Sequence, residues 1–182
     1  MENKNQGLVR NTGKHYLTEY APQQVMRSLS EIKTIQDIFK AKTPTLARIK
    51  KECGEQLAID YLALWILNLN DILNLKTKME EFQIEYTARL VMNENPLLCV
   101  ADIKIVFDSA VSGQYGVIYR LDSATICTWF RMHWNKRLEI AENESHIEHE
   151  TRKKLYNEQP REEPEWVRKI SGIGINKSIH RP

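Results

Sequence analysis

The stretch from Leu57 to Leu75 constrains this chain more than any other segment. Leu57, Tyr61, Leu62, Trp65, Ile66, Leu69, Ile72 and Leu73 recur at helical spacing. Ala58, Ala63, Leu64 and Leu67 make the remaining faces apolar as well. A helix apolar almost all round has no face to give to water, so it belongs at the centre of a helical core. Asp60, Asn68, Asn70, Asp71 and Asn74 interrupt the run too often for a membrane span, and no membrane partner is expected.

The flanking segments supply the helices that cover it. Pro22 suits a first helical turn, and Val25, Met26, Leu29, Ile32, Ile35, Ile38 and Phe39 follow on one face, with a break near Ser28 to Ser30. Thr43 is the expected cap of a short helix opened by Pro44, running through Leu46, Ile49 and Cys53 and ended by Gly54. Thr77 and Glu80 fit a capping box for a helix carrying Met79, Phe82, Tyr86, Leu90 and Val91. Leu98 to Ser112 is helical again and stops at Gly113. Gln114 to Leu121, with Tyr115, Val117, Ile118 and Tyr119, suits either a short strand or an irregular crossover. Asp122 or Ser123 then caps a long last helix through Ile126, Trp129, Phe130, Trp134 and Leu138. Its apolar stripe fades after Ala141.

These segments predict an all-α fold, an irregular or orthogonal bundle of about six helices with extended arms at both ends. The expected layout is a polar arm over 1–20, a helical core over 21–141, a charged extension of the last helix over 142–158, and a basic tail over 159–182.

Charge and cysteine content narrow the function classes. Lys and Arg number 26 against 24 Asp and Glu, so bulk electrostatics gives no case for nucleic acid and any basic surface must be local. Cys53, Cys99 and Cys127 are an odd number in stretches read as helical, with no zinc-site spacing; they predict reduced thiols and a cytoplasmic location. Met1 to Tyr16 lacks the apolar segment of a secretory signal.

Few motifs carry chemistry. His146 and His149 stand three apart on one helix, but a metal needs three or four converging ligands, and the segment reads as a solvated charged face. His133 lacks a local nucleophile or carboxylate and reads as a packed histidine. Gly113-Gln-Tyr-Gly116 has neither Walker nor dinucleotide-loop spacing. No enzyme activity, cofactor or metal is expected. Two segments suggest binding instead. Arg131, Lys136 and Arg137 interleave with Trp129 and Trp134, and with Arg152, Lys153 and Lys154 they are the candidates for phosphate contact. The tail from Trp166 carries cations, isoleucines and no acid, and Trp166, Val167, Arg168, Lys169 and Ile170 are the candidates for docking a protein partner.

Leu62 to Asn74, Ala101 to Phe107, Gly113 to Asp122 and Trp129-Phe130 together resemble an uncharacterised family of small helical proteins from phages and mobile elements of anaerobic gut bacteria. The resemblance covers roughly residues 22 to 140. More remotely, the layout of a helical domain with a tail is similar to phage helicase-loader proteins, although loaders often carry acidic tails. The resemblance implies a non-enzymatic adaptor or accessory protein, in DNA replication, whose tail docks a partner. A direct DNA-binding protein acting through the last helix is the alternative, and a virion or assembly protein with exchanged arms is a third.

Overall fold

The computed structural model describes residues 15–158, and these form an all-α fold. Residues 15–19 are helical. The named helices are α1 (Pro22–Ser28), α2 (Ile35–Lys40), α3 (Leu46–Cys53), α4 (Glu55–Ile72), α5 (Glu81–Glu94), α6 (Val100–Val111) and α7 (Ser123–Glu158). All but α2 are seven residues or longer.

Residues 15–141 belong to one compact unit and residues 142–158 to a second. Within the first, α4 packs against α1, α3, α5 and α6, as its apolar surface requires. Trp65 of α4 stacks on Phe107 of α6 with ring centroids 5.6 Å apart, and Phe107 meets Phe130 of α7 edge to face at 5.7 Å. All three rings are buried. The interior is divided, however. Ile35, Ile38, Cys99, Ala101 and Ile105 make a smaller cluster apart from the main one, so α2 covers α6 and not the central helix.

Local chemistry sets the helix starts, as expected after Ser28 and differently from the sequence expectation at two others. The break after Ser28 is a full stop: Thr34 restarts the chain as the cap of α2, with its N–H donating to Asp37 Oδ2 at 2.9 Å and the Asp37 N–H returning to Thr34 Oγ1 at 3.3 Å. Thr45, not Thr43, caps α3, because the backbone at Pro44 and Leu46 is engaged by Val100 and Leu98 around a single antiparallel bridge between Thr45 and Cys99. α5 is capped by Glu80 and Gln83, not by Thr77. The reason is Asn70, whose buried side chain accepts from the Met79 N–H at 3.1 Å and donates to the Met79 carbonyl at 3.3 Å. These bonds hold Met79 against α4, and the helix begins two residues later, at Glu81.

The crossover from Gly113 to Asp122 contains no strand. Gly113 and Gly116 take positive φ of 78° and 88°, turning the chain so that Tyr115 stacks on Trp129 at 5.3 Å. Tyr16 and Tyr20, within the stretch read as a polar arm, pack on the core. The Tyr16 ring is buried, and its hydroxyl donates to Glu52. Burial and then the Glu52 carboxylate push that phenol up to about 12. Cys99 is the cap of α6 and not a helical residue. Burial pushes all three thiols upward. Among the described residues no helix is long and apolar enough to cross a membrane.

Of the second unit, the residues described are wholly helical, and the side chains from Glu142 to His149 and from Thr151 to Tyr156 are exposed. The fading of the apolar stripe after Ala141 is therefore as expected.

Candidate functional site

The most concentrated polar chemistry lies where α6 and α7 meet. Every residue from Val100 to Phe107 is buried, Asp102 included at 0% exposure. A carboxylate there must be paired and hydrogen-bonded. Asp102 sits at the third position of α6, so its Oδ2 accepts the free Cys99 N–H at 2.8 Å. Its Oδ1 lies 2.8 Å from His133 Nε2, and Arg137 Nη1 donates to Oδ2. Burial pushes this carboxyl up, but the hydrogen bonds from His133 and Cys99 and the charge of Arg137 outweigh it and hold it below the ordinary carboxylate range.

Arg137, a candidate for phosphate contact, is half-buried and already holds an acid of its own. Its guanidinium is committed to Asp102 and lies over the rings of Trp134 and Phe39 at 5.4 and 5.6 Å. The fold also supplies what local sequence did not show for His133, a carboxylate 31 residues away. The Asp102 contact fixes the orientation of that imidazole, and among the described residues no hydroxyl or thiol hydrogen-bonds to it. Lys104 is buried on the same helix and donates to the Ile32 carbonyl at 2.9 Å and to Asp108 at 2.6 Å. These contacts tie the segment before α2 to α6.

Beside the Asp102 pair opens a cavity of about 470 Å³, lined by residues of α2, α6, α7 and the turn at Tyr115, with His133, Ser109, Lys33 and Lys136 among them. A second concavity, of about 490 Å³, lies between α4 and α5. Its floor is Ala63, Leu64, Leu67, Met79 and Ile84, and its rim carries Asp60, Glu81 and Glu85. On the adjoining surface of α5, Phe82 and Tyr86 are 70% and 59% exposed, one turn apart. The sequence pattern counted both as helix residues without marking them as surface.

Arg131 is exposed and reaches Glu94 at 3.2 Å. Lys136 is exposed at the mouth of the first cavity. Arg152, Lys153 and Lys154 are exposed in the second unit. His146 and His149 are exposed too, and no group of three or more His, Cys, Asp or Glu among the described residues could hold a metal. Trp166, Val167, Arg168, Lys169 and Ile170 lie outside the described residues.

No family model, no curated protein and no solved structure matches the chain.

Proposed function

We propose that this protein is a non-enzymatic adaptor, an accessory of phage or mobile-element DNA replication as the family resemblance implies, that docks a basic amphipathic helix of a partner protein in the groove between α4 and α5. The observation that carries this reading is the pairing of an apolar floor with an acidic rim. Leu64 and Leu67 come from a helix whose other faces are buried, yet Leu67 is 46% exposed. Apolar side chains at i, i+3 and i+4 of a partner helix fit such a floor, and flanking Lys or Arg would meet Asp60 and Glu81, and Glu85 by displacing Arg89. Phe82 and Tyr86 extend the apolar surface beyond the groove, where large aromatics commonly anchor an interface.

The DNA-binding alternative has less support, since Arg137 is consumed inside the fold and Arg131 is paired with Glu94. Tail docking through Trp166 to Ile170 remains a compatible second contact.

The test uses two synthetic amphipathic helices with the same apolar face, one bearing lysines and one bearing glutamates, titrated into the full chain and followed by amide NMR. The basic peptide should shift amides of α4 and α5, and E81K/E85K should weaken it about tenfold, near 1.4 kcal/mol. Equal affinity for both peptides, or shifts elsewhere, overturns the reading. Concentration-dependent dimerisation that buries Phe82 would replace the partner with a second copy and overturn it equally. An increase in peptide affinity on truncation after Glu163 would identify the tail as the occupant.

A further inference from the structure

The cavity beside His133 brings two cations together without an acid. Half of the other described cations are paired, among them Arg48 with Glu52, Lys50 with Glu55, Lys78 with Asp71, Arg89 with Glu85, Arg120 with Asp122 and Arg131 with Glu94. Lys33 and Lys136 both line the cavity, and neither forms an ion pair with a described residue. No carboxylate is in the lining. Asp37, four residues after Lys33, is turned to the backbone N–H groups of Lys33 and Thr34 in the capping box of α2, and exposed Glu31, two residues before Lys33, does not line the cavity. Two free ammonium groups over a concave wall without acids focus a positive potential into it.

Polar groups converge on the same space from below. His133 and Ser109 line the cavity while being only 5% and 8% exposed. Asp102 holds the Nε2 side of the imidazole, so the ring is oriented before any ligand arrives, and Nδ1 has no hydrogen-bond partner among the described residues. That nitrogen can accept from a ligand hydroxyl or, when protonated, donate to a ligand oxygen. Ile35, Ile105 and Ile140 give the cavity an apolar side. A volume of about 470 Å³ falls within the range of small-molecule sites.

We infer that this cavity is a binding site for a small phosphorylated ligand of nucleoside-monophosphate size, with Lys33 and Lys136 on the phosphoryl group and His133 and Ser109 below. This site is separate from the α4–α5 groove and does not depend on it. Isothermal titration of the full chain with adenosine monophosphate, inorganic phosphate and adenosine reads it directly. Adenosine monophosphate should bind, inorganic phosphate should compete with it, and adenosine should bind at least about tenfold more weakly, because the phosphoryl contacts are absent. The K33A/K136A variant changes only exposed ammonium groups, so it should melt like the parent while losing about tenfold or more in affinity. Unchanged affinity in that variant overturns the proposal, as does the absence of phosphate or nucleotide binding at millimolar concentration. Binding of single-stranded DNA that grows with length and resists competition by adenosine monophosphate would overturn it in favour of nucleic-acid contact.

Discussion

Asp102→Ala should lower stability at pH 7 by about 3–5 kcal/mol, the usual cost of removing one partner from a buried charged network. The substitution leaves Arg137 and His133 facing an empty site and frees the Cys99 N–H at the start of α6. Asp102→Asn keeps the shape and most acceptors but loses the charge opposite Arg137, so its loss should be smaller. Urea denaturation reads both as a fall in midpoint with little change in slope. The pH dependence supplies an independent sign. Because the folded carboxyl is held below its ordinary value of about 3.9, its contribution is complete above that pH and is lost as pH falls through the lower folded value. The gap between wild type and the alanine variant should therefore narrow below about pH 4 and stay constant above it.

Trp65→Ala should cost a similar amount, about 3–5 kcal/mol, for a different reason. Its ring is 1% exposed and forms the α4 side of the Trp65–Phe107–Phe130 stack, so truncation opens a cavity where three helices meet. Trp65→Phe should be far milder. It preserves a ring against Phe107 and removes a buried indole N–H that has no partner at hydrogen-bonding geometry among the described residues. Chemical denaturation of the two variants in parallel separates packing from polar effects: if both lose stability equally, the stack is not what matters at this position.

The residues show why some features were legible in the sequence and others were not. α4 could be read because its apolar residues repeat on every face and leave one placement, and the structure bounds it at Glu55–Ile72. Hydrophobic periodicity carries that much. Helix starts were less legible, because Asn70 fixes Met79 from nine residues upstream and the Thr45–Cys99 bridge fixes α3 from across the fold. Arg137 became a candidate by its residue type. Its position was more informative: Ile126, Phe130, His133 and Arg137 follow one another at spacings of four, three and four, which is a single inward face of α7. Asp102 and Lys104 carried a comparable signal. Each stands in an otherwise apolar run and so demands a partner, and Asp108 lies four residues from Lys104. The cavity beside His133 had no sequence signature, because Lys33, Ser109 and Lys136 come from three separate segments. The exposure of Phe82 and Tyr86 was equally hidden, since periodicity assigns aromatics to the inside.

The adaptor and ligand proposals both presuppose that α4, α6 and the first half of α7 behave as one rigid scaffold. Native-state hydrogen exchange tests this most directly. Amides of Leu62 to Leu69, Ile103 to Phe107 and Phe130 to Arg137 should be the slowest in the chain and should share one opening free energy equal to that of global unfolding. If the Phe130 to Arg137 amides instead open several kcal/mol below those of α4, the Asp102 network does not fasten α7 to α6 and the scaffold does not exist as described.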